Sequence, residues 1–390
     1  MTRLVAIPLP SEPRAADVVR ERWEAGDAVL PLDPSAPDAD TTSLLSALRP
    51  DRIASLDDPV GRALPAPLPT ADGIALVVAT SGSTGTPKGV ELTAAALEAS
   101  TAASLARLGC RPGEVWRVPL PLHHVAGLTA LRRAWALGTV PDVVPPGDLD
   151  ALLAPGADRT AVVPTQLYRW LERDPAGGPR RVLLGGAPAA PALLERAASS
   201  GMEVTTSYGM TETCGGCVYD GRPLDGVEVA LTADGRVRLR GAVRFAGYRG
   251  DPAATAAAVD EAGWFTTGDV GRREPDGRLT VLGRADDVVV TGGENVPLAA
   301  VVAALRTHPA VADAAALGRP DPEWGEVVHA VVVPRDPAAP PTLDALRDHV
   351  RARHPAAFAP RGLTVVGALP RDAMGKVTRA ALRTVLGGAG

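Results

Sequence analysis

Residues 74–90 read IALVVATSGSTGTPKGV. The opening apolar run predicts a short buried strand over Ile74–Thr80. It stops at a loop of Gly, Ser, Thr and Pro, and Leu92–Leu108 then reads as an Ala-rich helix with Thr93 as its N-cap. Hydroxyl residues, glycines and a lysine are crowded between the two elements. Small residues let backbone N–H groups approach a phosphate, the hydroxyls add donors, and Lys88 adds a point charge. A Walker A loop is excluded, because Pro87 precedes Lys88 and Gly89 follows it. On its own the segment favours phosphate binding, with an ordinary mobile linker as the bland alternative.

Working outward, Arg14–Trp23 reads as a helix and Ala28–Leu32 as a short strand. Beyond the loop, strand-like runs at Val115–Leu120, Val140–Val144, Arg159–Val163, Val182–Gly185 and Val204–Ser207 alternate with helical ones. The latter lie at Gly127–Leu137, Gln166–Glu172 and Pro191–Ser199. Such alternation predicts an α/β sheet with helices on its faces. The stretch VEVALTADGRVRLRG, from Val227, changes to period two around a DG turn and predicts a β-rich subdomain. After a break near Gly283–Asp287, helical Pro297–Leu305 and Leu343–Arg353 bracket strand-like Ala310–Leu317 and Glu326–Val333. The expected fold is therefore α/β: a large N-terminal domain of α/β sheets plus a β-rich subdomain (1–283), then a small α+β C-terminal domain (284–390).

The chain has 390 residues, 46% hydrophobic, with a net charge of −5 and three cysteines. No basic stripe suggests nucleic acid, no apolar h-region suggests a signal peptide, and no run is long enough for a membrane span. Three cysteines make a poor disulfide framework, so a cytoplasmic location is expected. A homo-oligomer is left open.

Four further segments follow the loop: Ser207–Thr213 (SYGMTET), Thr267–Gly277 (TGDVGRREPDG), Gly283–Val296 (GRADDVVVTGGENV) and Pro370–Arg379 (PRDAMGKVTR). With TSGSTGTPKG, and in this order, they resemble the signature motifs of the adenylate-forming superfamily of acyl-CoA synthetases, adenylation domains and luciferases. The resemblance spans roughly residues 73–380. It implies an ATP-dependent acid–thiol ligase that makes an acyl-adenylate and pyrophosphate, then a CoA thioester, with ATP, Mg²⁺ and CoA required. It also implies roles. Thr80, Ser81, Gly82, Ser83, Thr84, Gly85 and Lys88 would hold phosphates. Tyr208 and Gly209 would lie on one side of the adenine, with the backbone of Gly185, Gly186 and Ala187 on the other. Thr211 would meet the α-phosphate, Glu212 would supply the carboxylate for Mg²⁺, and Asp269 and Arg284 would reach the ribose. Lys376 would bridge the substrate carboxylate and the α-phosphate, where charge builds during attack. The C-terminal domain would be mobile, rotating about a hinge at Asp286 and bringing Gly292, Gly293 and Glu294 to the CoA thiol. Taken one at a time, Tyr208 reads as a core aromatic, Asp269 and Arg284 as solvated turn residues, Lys376 as a surface charge and GGEN as a tight turn.

Pro121–Gly127 (PLHHVAG) resembles the superfamily's gate to the acyl pocket, with His124 as gate and catalytic contact; isolated, a His pair is more often structural. The small N-terminal segment, 79 residues ahead of Thr80, is shorter than usual for the superfamily. With the motifs above it resembles the branch that ligates 2-succinylbenzoate to CoA in menaquinone synthesis; another aryl- or acyl-CoA ligase is the alternative. Such a diacid keeps one carboxylate free, and Arg133 could pair with it bidentately, although the same residue reads as a surface arginine on an amphipathic helix. Ser207 and Gly209 would line the acyl pocket. Cys214 and Cys217 form a lone CxxC, readable as a redox pair, half a zinc site or, preferably, small pocket-lining residues. A carrier-protein adenylation domain, a nucleotide sensor and a thioredoxin-like module are the remaining rivals.

Overall fold

The computed structural model describes residues 2–80, 87–370, 377, 382–384 and 386, and of Asp286 the backbone alone. The architecture is α/β, as expected. One seven-stranded sheet runs Gly247–Tyr248, Lys88–Thr93, Ile74–Thr80, Ala28–Leu32, Leu4–Pro8, Arg52–Ile53, Arg62–Ala63. Ile74–Thr80 is an interior strand and its first five residues are buried. A strand covered on both faces is continuously apolar rather than alternating, which is why IALVV is so legible.

Two features depart from expectation. Lys88–Thr93 is a strand, paired antiparallel with Ile74–Thr80 in the register Thr80↔Lys88 and Val78↔Val90. Residues 81–87 therefore connect a hairpin rather than a strand and a helix. The helix begins at Ala94, with Thr93 Oγ1 accepting from Ala96 N at 3.0 Å. Second, the short N-terminal segment builds its own part of the sheet. Leu4–Pro8 pairs parallel with Ala28–Leu32 across the helix Pro13–Glu24, which has Pro13 in its first turn.

The other large sheet runs Arg222–Pro223, Gly215–Tyr219, Glu203–Met210, Arg181–Leu184, Arg159–Val162, Trp116–Val118, Asp142–Val143. Arg181–Leu184 is parallel to both neighbours. Helices Pro164–Arg173 and Pro191–Ser199 cover it through a core around Trp170, Leu167, Val182 and Leu184. A four-stranded sheet follows (Val227–Leu231, Arg236–Gly241, Phe265–Arg273, Leu279–Arg284), the DG turn falling between its first two strands as the sequence predicts. A five-stranded sheet runs Glu294–Pro297, Val288–Thr291, Gly325–Pro334, Val311–Asp321, with Gly362–Val365 also paired to Gly325–Pro334. Leu298–Arg306 and Leu343–Arg351 pack on it over Val301, Leu305, Leu346 and Val350.

The chain divides into two compact units. One holds Met1–Ala230, Arg238–Thr266 and Glu274–Leu279; the other holds Leu231–Val237, Thr267–Arg273 and Thr280–Gly390. Among the described residues, no helix is long and apolar enough to cross a membrane.

Candidate active site

In the first unit, Gly185 and Ser207–Gly209 lie at the C-terminal ends of neighbouring parallel strands, where ligands bind in open α/β sheets. Gly185 follows Arg181–Leu184, its N–H donating to Val162 O at 3.1 Å. A Cβ at Gly185 would stand 3.3 Å from Ser207 O, so the 185–187 turn and the Ser207 strand lie side by side. Gly186 has φ +83°.

Glu203–Met210 carries Ser207, Tyr208 and Gly209 into a one-turn 3₁₀ helix, Thr211–Thr213, and the chain doubles back as Gly215–Tyr219. The reversal is tight. Cys214 sits at φ 52°, and Thr213 Oγ1 accepts from Met210 N at 3.0 Å and donates to Gly215 O at 2.7 Å. A Cβ at Gly209 would run into the Gly215 carbonyl, and one at Gly216 into Ser207 Oγ. Only glycine lets these strands approach so closely, which leaves Tyr208, Thr211 and Glu212 half-buried at the rim.

Thr80 Oγ1 donates to Lys88 O at 3.4 Å, closing the neck of the glycine-rich loop. Ser81, Gly82, Ser83, Thr84 and Gly85 lie outside the described residues. Gly89 packs where a Cβ would stand 2.7 Å from Leu48 Cδ2 and 3.0 Å from Val77 Cγ1. Lys88 Nζ lies 5.1 Å above the ring of Tyr248, whose hydroxyl donates to Glu212 Oε1 at 3.0 Å. Lysine and glutamate are thus brought to one tyrosine. Glu212 makes no ion pair among the described residues. Mg²⁺ keeps near-ideal octahedral oxygen coordination and is usually held by one or two carboxylates plus substrate phosphates. A carboxylate with no ion-pair partner among the described residues fits that donor set.

His124 is the exposed N-cap residue of Val125–Ala136, its ring 4.4 Å from that of His123. Asp33, just past the strand Ala28–Leu32, places Oδ2 3.7 Å from His123 Nε2. Desolvation by the surrounding protein lowers the pKa of both histidines, of His124 despite its exposed edge, and the Asp33 charge opposes that shift. Gly127 is obligatory in this helix, since a Cβ would clash with Pro121 O.

Arg133 is not a surface arginine. It is 3% exposed, with Nε donating to Ser104 Oγ at 2.9 Å, one terminal nitrogen 3.4 Å from the Tyr219 hydroxyl, and its guanidinium 5.4 Å above Trp116. None of its described partners is a carboxylate. Tyr219 faces Ser207 across the hairpin, so this buried cation stands behind the wall that carries Ser207. Cys214 and Cys217 are fully buried, and burial pushes both thiols up to about 12. Such thiols lack the reactive form a redox role needs, and among the described residues they belong to no group of three or more metal-ligating side chains.

The second unit holds the remaining candidates. Asp269 Oδ1 accepts from Arg284 at 3.4 Å, and the guanidinium lies over Gly268 where a side chain would clash. Asp269 N donates to Thr267 Oγ1 at 3.0 Å. Ala285–Asp287 forms a 3₁₀ turn, with the Asp286 side chain outside the described residues. Gly292 and Gly293 form the two-residue turn of the hairpin Val288–Thr291/Glu294–Pro297, both with positive φ (56° and 82°), as the twist of such a hairpin demands. Trp324 braces this turn. Its carbonyl accepts from Gly292 N at 3.0 Å, a Cβ at Gly292 would meet its ring at 2.7 Å, and Arg361 stacks 3.9 Å from the ring centroid. Lys376 lies outside the described residues.

Asp33, Tyr248, Arg249 and Trp324 were not legible as site residues. Each acts on a partner distant in the chain, and only the GY pair after Ala246, between the YGMTE and TGD motifs, offered a local signal.

Over residues 11–242 the chain matches the family described as AMP-binding enzyme, and over residues 294–376 the AMP-binding enzyme C-terminal domain. The chain belongs to the AMP-binding enzyme family. Within it, the chain is 46% identical over 327 residues to a probable 2-succinylbenzoate–CoA ligase of Mycobacterium tuberculosis, covering 80% of this chain and 84% of the relative. It is 33% identical to the 2-succinylbenzoate–CoA ligase of Bacillus subtilis, covering 80% and 69%. Among solved structures, it is similar to o-succinylbenzoate CoA synthetase (MenE) from Bacillus subtilis in complex with the acyl-adenylate intermediate OSB-AMP. That match has a TM-score of 0.81 and 28% identity, and covers 98% of this chain and 88% of that one. The same enzyme in complex with ATP and magnesium gives a TM-score of 0.80, 28% identity, and 98% and 89% coverage.

Proposed function

We propose that this family member is an ATP-dependent 2-succinylbenzoate:CoA ligase. The observation that carries the substrate class is Arg133: a buried guanidinium with no carboxylate among its described partners, behind the Ser207 wall. A buried cation of that kind is stabilised when an anion arrives, which suits an acid that keeps a second carboxylate after the first is activated. The likeness to relatives named for that substrate supports the same assignment.

In the first half reaction the substrate carboxylate attacks the α-phosphorus of ATP and pyrophosphate leaves. Lys88 and the 81–85 loop hold the β- and γ-phosphates, and Thr211 meets the α-phosphate. Glu212 holds Mg²⁺, which supplies charge neutralisation on the phosphate oxygens. Tyr208, Gly209 and Gly185–Ala187 sandwich the adenine, Asp269 and Arg284 take the ribose, and Lys376 stabilises the charge that builds on the reacting oxygens. In the second, the CoA thiol displaces AMP at the acyl carbon, with His124 as gate and the Gly292–Gly293–Glu294 turn beside the thiol. A C-terminal domain from residue 284, hinged at Asp286, completes each arrangement in turn. Both steps are assigned to the cytoplasm, and a homo-oligomer stays open.

A pyrophosphate-release assay with CoA and 2-succinylbenzoate, benzoate or octanoate tests the assignment. The diacid is expected to have the highest kcat/KM; octanoate leading would overturn it.

A further inference from the structure

We infer that Tyr248 is a positioning residue that locks the Glu212 carboxylate and the Lys88 ammonium into one arrangement before any ligand binds. Three sets of contacts meet at this residue. Its hydroxyl donates to Glu212 Oε1 at 3.0 Å, its ring lies 5.1 Å beneath Lys88 Nζ, and its ring packs 4.9 Å from that of Phe245. Phe245 N in turn donates to Glu212 O at 2.8 Å, so the 245–248 segment grips the glutamate by main chain and side chain together.

The register explains the meeting. Gly247–Tyr248 is the edge strand beside Lys88–Thr93, with Tyr248 opposite Val90 and Gly247 opposite Glu91. Lys88 is two residues from Val90, on the same face, and is the diagonal neighbour of Tyr248. Long side chains reach one another at that spacing, and an ammonium over an aromatic face is attracted by the ring's negative face. The tyrosine itself cannot drift. Its N–H donates to Thr255 Oγ1 at 2.9 Å, Ala246 N to Glu91 O at 2.8 Å, and Arg249 N to Gly89 O at 2.8 Å. Arg249, 6% exposed, donates to the carbonyls of Leu48 and Leu68 at 2.7 Å and to Thr70 Oγ1 and Glu91 Oε1 at 3.1 Å.

A neutral hydroxyl on Oε1 fixes the rotation of the carboxylate without neutralising it, and leaves Oε2 for a metal. An arginine in the same place would compete with that metal. The inference rests on the proposal that Glu212 holds Mg²⁺, and the test separates the two. Mn²⁺ binding is followed by electron paramagnetic resonance with the full chain and ATP, without acid or CoA, so that no turnover is involved; metal-free ATP binding and the thermal midpoint are measured in parallel. Tyr248→Phe is expected to weaken Mn²⁺ binding by about fivefold with unchanged metal-free ATP affinity and midpoint. Tyr248→Leu, which also removes the face beneath Lys88, is expected to weaken ATP binding in addition. Glu212→Gln is expected to abolish tight Mn²⁺ binding. Unchanged Mn²⁺ affinity in Tyr248→Phe, alongside its loss in Glu212→Gln, overturns the positioning role alone. Unchanged affinity in both overturns the metal role of Glu212 and the inference with it.

Discussion

Glu212 and Asp269 are both acids supplied by short motifs, and they sit in opposite circumstances. Asp269 meets a guanidinium, that of Arg284. Glu212 meets a neutral hydroxyl and no cation among the described residues, while Arg133, in the same unit, has no carboxylate among its described partners. Ion pairs do occur elsewhere in the first unit, Arg159–Glu114 and Arg249–Glu91 among them. Glu212 and Arg133 have no ion partner among the described residues, whereas the candidate acid of the second unit is paired. An uncompensated buried charge destabilises the empty protein and is relieved by a ligand of opposite sign. A charge pair whose cation is exposed, as Arg284 is opposite the buried Asp269, is screened by solvent and contributes less. The first region should accordingly answer strongly to ligands, and the second mainly to geometry.

The largest effect expected from a single substitution lies in the second unit and would sharpen this contrast. Lys376→Ala should lower the rate of adenylate formation by on the order of 10²–10³ yet largely spare thioester formation from preformed acyl-adenylate. Rapid-quench measurement of each half reaction checks this, and equal losses in both would contradict the assigned role. Next, Arg133→Met should cut kcat/KM for 2-succinylbenzoate by about 100-fold while leaving benzoate almost untouched. Calorimetry should show the ligand-free variant as stable as the parent or more so, because an unpaired buried charge has gone; a large fall in stability would break the comparison at its centre. Asp269→Asn should raise the KM for ATP by about tenfold and change stability by less than about 1 kcal/mol, since the Arg284 side chain is 61% exposed.

The smallest effect concerns acid. His329 is 8% exposed, bonded to Thr364 Oγ1 at 2.9 Å and packed against Gly362; burial, then Arg319, lowers its pKa below the ordinary histidine value. The unfolded chain takes up this proton at a higher pH than the folded one. Stability is therefore complete above the ordinary value and is lost as pH falls through it toward the lowered one. His329→Gln should flatten the decline in thermal midpoint between pH 7 and 5, and an unchanged slope would assign the acid sensitivity elsewhere.

Much of the fold was legible because local rules agreed with tertiary demands. Ala28–Leu32 and Pro191–Ser199 stand where composition placed them, and Thr93 caps the helix it was expected to cap. Lys88–Thr93 was lost in the shadow of the glycine-rich loop, although KGVELT alternates its buried Gly89, Val90 and Leu92 with half-buried Lys88, Glu91 and Thr93 well enough to betray a strand. Leu4–Pro8 was missed because five residues next to two prolines carry too little pattern. The motif residues were legible only together and in order. Tyr248 and Trp324 escaped because their roles come from contacts across 36 and 32 residues, to Glu212 and Gly292, which no window of sequence can display.

Arg249 reaches the N-terminal segment chiefly through the carbonyl oxygens of Leu48, Arg49 and Leu68, atoms that every amino acid provides alike. Drift in side-chain identity along residues 48–68 therefore leaves this anchorage intact, whereas an insertion or deletion there would shift the acceptors out of reach. The segment is free to diverge in spelling but bound in length.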